Sequence, residues 1–78
     1  MIDPSIRKYI IVDGRAEVFG LEDCHKIVAA GRPVQSAGFF YEMDGVVETF
    51  GFSASLDGLA TAKGDAGLIR ESLTVMLP

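Results

Sequence analysis

The chain has one cysteine, one histidine and no tryptophan among its 78 residues. A single cysteine, Cys24, excludes an intramolecular disulfide. One thiol and one imidazole, that of His25, exclude a zinc site of the usual Cys/His kind. Basic residues are few and scattered, with seven Lys and Arg against eleven Asp and Glu and a net charge of −4. Because no basic cluster is present to bind phosphates, we expect no nucleic-acid partner. We also predict neither a metal nor a cofactor.

Long apolar runs are also missing from the sequence. No run approaches the ~18 residues that cross a membrane. The first four residues, Met-Ile-Asp-Pro, lack the basic region and the apolar segment of a signal peptide. We therefore expect no membrane partner and a cytoplasmic location, where an unpaired thiol is stable.

What the chain does contain is much apolar material for its size. Residues 1–78 make a single domain, which buries only about 60% of the surface of its unfolded chain. The composition is nonetheless 49% hydrophobic, with five Phe and two Tyr. A small domain without a disulfide or metal needs either very good packing or a partner subunit. We predict a homo-oligomer, most simply a dimer, and the alternative is a well-filled monomer with some exposed apolar atoms.

The most informative pattern is a near-repeat. Asp13–Gly20 returns 31 positions later as Asp44–Gly51, with five of the eight residues identical. Each copy follows an apolar run, and an Asp-Gly pair between two such runs is typical of a two-residue hairpin turn. The sequence therefore predicts two β-hairpins, which we interpret as a duplication; the alternative is that two hairpins converged on similar residues.

The spacing of apolar residues predicts the remaining elements. We expect strands over 7–12, 15–19, 34–43 and 46–55, helices over 21–30 and 65–77, and a loop over 56–63. The fold class is α+β in the order β-β-α-β-β-α, with a mostly antiparallel four-stranded sheet and two helices packed on it.

The two helices carry different signals. In the first, Leu21, Cys24 and Val28 recur at helical spacing with Ile27 beside them, so we expect this stripe and the Cys24 thiol to be buried. Gly31 is placed to end that helix. In the second, Asp65 is a plausible N-cap, and the buried stripe is formed by Ile69, Leu73 and Met76, with Leu68 and Leu77 at its edge.

Two-residue turns fix which residues share a face of the sheet. In the first hairpin the core face is Tyr9, Ile11, Ala16 and Val18. In the second, the more apolar face lies on the opposite side and carries Phe39, Tyr41, Met43, Val46 and Phe50, which we predict to form a subunit interface. Either one turn contains a bulged residue, or the sheet is covered on both sides, for example by helices on one and a second subunit on the other.

Residues that could perform chemistry are few. We predict no catalytic residues, since Cys24 and His25 are neighbours that point about 100° apart on a helix and cannot pair. Glu17 and Glu48 occupy equivalent places in the two hairpins and are best interpreted as solvated strand residues. A small polar ligand site would form if His25 converged with three serines, Ser36, Ser53 and Ser55. The alternative is a surface or interface histidine bonded to a backbone group, and hydroxyls bonded locally at strand ends.

Several segments, in this order, resemble a group of short uncharacterised bacterial and phage-associated proteins: Tyr9–Gly14, His25, Ser36–Phe39, Gly51–Leu56, and Asp65 followed by Leu68-Ile69. The resemblance spans most of the chain from Tyr9 to Leu73. It implies a self-contained accessory protein and no mechanism, and it draws attention to His25 and the three serines.

Together these observations favour a small non-enzymatic assembly or protein-interaction module that dimerises through a sheet face. The alternative is a ligand-binding or regulatory protein whose pocket surrounds His25 and the strand serines.

Overall fold

The computed structural model describes residues 5–75 and confirms the α+β class and the predicted order of hairpins and helices. Its elements are β1 (Arg7–Val12), β2 (Arg15–Phe19), α1 (His25–Ala29), β3 (Ser36–Met43), β4 (Val46–Phe50), β5 (Phe52–Ser53), a 3-10 helix (Ala54–Leu56), β6 (Leu59–Ala60) and α2 (Asp65–Val75). Four strands form an antiparallel sheet in the order β2-β1-β3-β4, and β5 and β6 pair separately.

Both hairpins have the predicted two-residue turns. The Asp and Gly of each turn have positive φ, 52° and 72° at Asp13-Gly14 and 53° and 80° at Asp44-Gly45. This is the type I′ geometry, whose twist matches that of the flanking strands. Pairing then runs without interruption from Val12 opposite Arg15 in the first hairpin and from Met43 opposite Val46 in the second. A bulge at either turn is therefore excluded.

The sheet is instead covered on both sides by the chain itself. On the α2 face, Ile69 packs with five strand residues: Tyr9, Ile11, Ala16, Phe40 and Val47. On the α1 face, Ala29 packs with Ile10, Val12 and Ala37. The suggestion that both helices lie on one side and a second subunit covers the other is thus wrong, because each helix covers one side.

Helix α1 is shorter than predicted, and it turns a different side toward the sheet from the one that was predicted. It begins at His25 rather than 21 and buries His25 and Ala29, which lie one turn apart on the same side. Leu21, Cys24 and Ile27 are exposed, so the predicted burial of these three residues is wrong, whereas Val28 is partly buried and packs against the core of this face as predicted. Which side of a one-turn helix faces the sheet depends on the side chains that fit there, and in α1 the imidazole of His25 lies against the sheet. The positive φ that ends the helix occurs already at Ala30, one residue before Gly31.

The fourth strand also ends earlier than predicted. Gly51, with φ of 77°, interrupts it after Phe50, and residues 52–53 pair with 59–60 inside the segment expected to be a loop. In α2, Ile69 is buried with Leu68 and Leu73 packed beside it, as predicted. The predicted stripe residues Met76 and Leu77 lie outside the described residues.

Candidate functional site

The five predicted interface residues do lie on one face of the β3–β4 hairpin. Phe39 is opposite Phe50, and Met43 is opposite Val46, on the α1 face but beyond the residues that Ala29 covers. We call Tyr41, Met43, Val46 and Phe50 the β3–β4 surface. Its large side chains are 49% (Met43), 53% (Val46) and 40% (Phe50) exposed, while Phe39 and Tyr41 are partly buried. The surface is therefore smaller than a whole sheet face, and along β4 the exposed Glu48, opposite Tyr41, separates Val46 from Phe50.

A row of aromatic rings connects this surface to the interior. Phe19 lies 5.4 Å from the His25 ring, and His25 lies 5.6 Å from Phe39. Phe39 stacks on Phe50 at 5.7 Å, and Phe50 lies 6.1 Å from Tyr41. The two contacts of His25 are edge-to-face, a favoured aromatic arrangement. The exposed ring of Phe50 thus rests on a packed layer that runs across the sheet from β2 to β4.

His25 is a buried member of that row. Its Nε2 donates to the Gly38 carbonyl at 2.9 Å, and the residue is 3% exposed. Burial lowers the pKa of the imidazole, with the nearby Lys8 ammonium acting in the same direction and the bond to Gly38 opposing it. The predicted bond to a backbone group is confirmed, whereas a surface position is wrong. A neutral imidazole that donates to a carbonyl in this way holds α1 against β3.

The three serines are divided between the two sides of the sheet. Ser53 Oγ lies 3.3 Å from Ser55 Oγ, which in turn accepts from the Lys26 N–H at 3.2 Å near the start of α1. Ser36 instead donates to Asp65 Oδ1 at 2.9 Å on the α2 face. Side chains alternate along a strand, so Ser36 and Phe39, which contacts His25, point to opposite sides. The predicted single pocket of His25 and three serines is therefore wrong.

A buried carboxylate that the sequence did not reveal organises the α2 face. Asp65, 3% exposed, accepts from Tyr9 OH at 2.5 Å, from Ser36 Oγ at 2.9 Å and from the Ala62 N–H at 2.9 Å. Burial, followed by Asp65 itself, raises the pKa of Tyr9. The Asp65 side chain thus bonds to groups outside its helix instead of capping it. The sequence did contain one indication of such a partner, since Tyr9 was predicted on a core face and a buried tyrosine needs a hydrogen-bond partner for its hydroxyl.

The end of α1 is fastened by an arginine. Arg32 Nε donates to Ala29 O and Arg32 Nη2 donates to Val28 O, both at 2.9 Å, while the same guanidinium forms a two-point ion pair with Glu17. The Arg32 bond lowers the pKa of Glu17. Glu17 is therefore a partly exposed strand residue with a structural partner.

Cys24 was predicted to be a buried thiol, and both its exposure and its surroundings differ from that prediction. The thiol is exposed immediately before α1, and its pKa is lowered by the Ser55 hydroxyl and by the backbone amides of Lys26 and Ile27. The contact with Ser55 could not be predicted from the sequence, because only the fold brings Ser55 beside Cys24.

Within residues 5–75, no three His, Cys, Asp or Glu side chains are grouped closely enough to hold a metal ion. In the same part of the chain, neither helix has the length and apolar character needed to cross a membrane. Comparison of the chain with protein-family models, with curated proteins and with solved structures found no match in any of the three.

Proposed function

We propose that this protein is a non-enzymatic interaction module that self-associates through the β3–β4 surface. The observation that supports this most strongly is the clustering of three half-exposed apolar side chains, Met43, Val46 and Phe50, on one face of one hairpin. Contiguous exposed apolar surface is typical of interaction sites, whereas isolated exposed apolar residues are ordinary. The packed aromatic row beneath Phe50 adds to this, since a pre-ordered surface loses little side-chain entropy on binding.

A second copy of the chain is the occupant that the chemistry favours. Apolar contacts need no charge complement, so two molecules of net charge −4 can meet through them without bringing their charges together. One carboxylate, Glu48, lies on the same face between Val46 and Phe50. Because burying an unpaired carboxylate is costly, we expect Glu48 to keep its contact with water at the open edge of the sheet that β4 forms.

The edge of the sheet leaves room for such a contact. Among the described residues, β4 pairs with β3 on one side and has no strand partner on the other. An unpaired edge is a natural neighbour for a second molecule, whether the copies pack face to face or also pair their strands. Packing face to face would bury the four side chains of the β3–β4 surface.

Sedimentation velocity over a range of micromolar concentrations tests the proposal. Wild-type protein is expected to sediment above its 8.4 kDa monomer mass as concentration rises. Val46→Lys places a charge in the surface and is expected to weaken association at least tenfold, since burying a valine side chain is worth about 1.5 kcal/mol or more.

Ile27→Lys is the matched control. Ile27 is also a β-branched apolar residue, and it is 75% exposed on α1, outside the β3–β4 hairpin. This variant is expected to associate like the wild type. A single monomeric species for the wild type at every concentration, or equal weakening by both substitutions, would contradict the proposal.

The remaining elements of the proposal are location and context. An exposed unpaired thiol at Cys24 is stable in a reducing compartment, which favours the cytoplasm. The resemblance to short bacterial and phage-associated proteins is consistent with an accessory role in an assembly.

A further inference from the structure

The chain contains three Asp-Gly pairs, and all three adopt the same backbone conformation. The aspartates Asp13, Asp44 and Asp57 have φ of 52°, 53° and 58°, and each is followed by a glycine of positive φ. All three aspartates are exposed. Among dipeptides that begin with aspartate, Asp-Gly is the most open to cyclisation, because glycine has no side chain to hinder attack by its amide nitrogen. The three sites are therefore matched in sequence, conformation and exposure.

They differ in what their glycine N–H groups do. The Gly14 N–H donates to Gln35 Oε1 at 2.7 Å. The Gly58 N–H donates to the Ser53 carbonyl at 2.9 Å. Among residues 5–75, no acceptor is found for the Gly45 N–H. Two of the three nucleophilic nitrogens are thus held by a hydrogen bond that must break before attack on the neighbouring carboxyl group, and within residues 5–75 the third has no such bond.

We infer that Asp44-Gly45 is the site of spontaneous isoaspartate formation in the folded protein. The Gly45 nitrogen attacks Cγ of Asp44 in its carboxylic acid form, a new N–C bond forms, and the C–O bond to the carboxyl hydroxyl breaks, so that this hydroxyl leaves with the amide proton as water. One water then adds to either carbonyl of the five-membered succinimide. Addition at the main-chain carbonyl gives isoaspartate, and addition at the side-chain carbonyl regenerates aspartate. No oxidant or reductant is needed.

The consequence for the hairpin follows from its geometry. Isoaspartate routes the main chain through the side-chain carbon and lengthens the turn by one methylene. A type I′ turn of two residues sets the pairing of Met43 with Val46, so the lengthened turn removes the constraint that fixes this register. The inference does not depend on the protein's self-association.

The experiment follows incorporation of ¹⁸O at the three aspartates while folded protein is held in ¹⁸O-water at neutral pH. Each passage through the succinimide leaves one heavy oxygen, and peptide mapping with electron-transfer fragmentation assigns it and detects isoaspartate. We expect about fivefold more turnover at Asp44 than at Asp13 or Asp57, since a hydrogen bond of ordinary strength lowers the free amide population by roughly that factor. In denaturant the three sites should react alike.

Gln35→Ala supplies the decisive variant. Gln35 is exposed, and its backbone bond to Ile11 O does not involve the side chain, so the fold should persist, as circular dichroism would verify. Turnover at Asp13 should rise to that at Asp44, with Asp57 unchanged. Equal turnover at all three sites in the folded wild type, no turnover at Asp44 while the denatured chain reacts, or an unchanged Asp13 in folded Gln35→Ala would each overturn the inference.

Discussion

Removing one hydroxyl group should measure how strongly Asp65 joins α2 to the sheet. Tyr9→Phe deletes the donor 2.5 Å from Asp65 Oδ2 and leaves the ring in place, including its edge-to-face contact with Phe40 at 6.2 Å. The packing of the core is therefore preserved. The carboxylate keeps Ser36 Oγ and the Ala62 N–H as donors and loses its closest one.

The size of the effect follows from burial. A hydrogen bond to a charged group contributes about 1.5–3 kcal/mol to stability, and Tyr9 and Asp65 are 0% and 3% exposed, so little of this is recovered from water. We expect the free energy of unfolding to fall by about 2 kcal/mol, which corresponds to roughly a 10 °C drop in Tm for a domain of this size. Urea unfolding followed by circular dichroism measures it, with an unchanged slope against denaturant.

Tyr41→Phe is the matched control. Tyr41 lies on the other face, is only partly buried, and its hydroxyl has no bond among those found in residues 5–75. Its loss should change the free energy of unfolding by less than about 0.5 kcal/mol. If the two variants are destabilised equally, the bond from Tyr9 to Asp65 does not hold α2 to the sheet.

Alkaline titration of the same pair gives an independent check. A tyrosine in the unfolded chain loses its proton near its ordinary pKa of about 10, whereas burial and then Asp65 raise the pKa of Tyr9 in the folded protein above that value. Above about pH 10 the unfolded chain therefore holds fewer protons than the folded one, and stability falls as pH rises. Tyr9→Phe should show a shallower fall over that range than the wild type.

The remaining predictions concern His25 and two glycines. Burial lowers the pKa of His25 in the folded protein below 6.5, so just below that pH the unfolded chain binds more protons than the folded one. The free energy of unfolding should therefore decrease as pH falls from about 6.5 toward the lowered pKa. His25→Gln should remove this pH dependence, as measured by urea unfolding at several pH values. Gly38→Ala should destabilise by about 1–3 kcal/mol, since the new Cβ would lie 2.7 Å from Thr61 Cγ2 and 2.9 Å from the Phe50 carbonyl. Gly67 is exposed on α2, and a Cβ added there would have no atom within 4 Å, so Gly67→Ala should raise the free energy of unfolding by about 1 kcal/mol. If Gly67→Ala were instead less stable than Gly38→Ala, the close packing of Thr61 and Phe50 against Gly38 would be refuted.

Local chemistry explains what could be predicted about the sheet. Asp-Gly pairs accept positive φ at both turn positions, so Asp13-Gly14 and Asp44-Gly45, each lying between two strand-forming runs, make two-residue turns. Once the turns are fixed, alternation assigns each strand residue to a face, and Tyr9 and Ile11 fall on the same core face as predicted. The adjacency of Met43 and Val46 on the β3–β4 surface follows from the same rule.

The helix that covers the α1 face was predicted less well. The prediction ranked residues by hydrophobicity alone, and because Leu21 and Ile27 are more apolar than His25, it placed them and not His25 on the buried side of the helix. Helix α1 has five residues, too few for its own periodicity to set its rotation against the sheet. The bond of His25 to the Gly38 carbonyl and its two ring contacts set that rotation instead.

Local patterns were enough to predict the two hairpins and the pairing that a two-residue turn imposes, because these depend on neighbours within a few residues, whereas the absence of a bulge at either turn was evident only from the strand pairing in the fold. Only the tertiary structure decided that Asp65 would meet Tyr9, 56 positions away, that Ser36 would lie apart from His25, and that residues 52–53 and 59–60 would form a second sheet. Those contacts join distant segments, and the polar partners they bring together carry no pattern that local spacing along the chain can reveal.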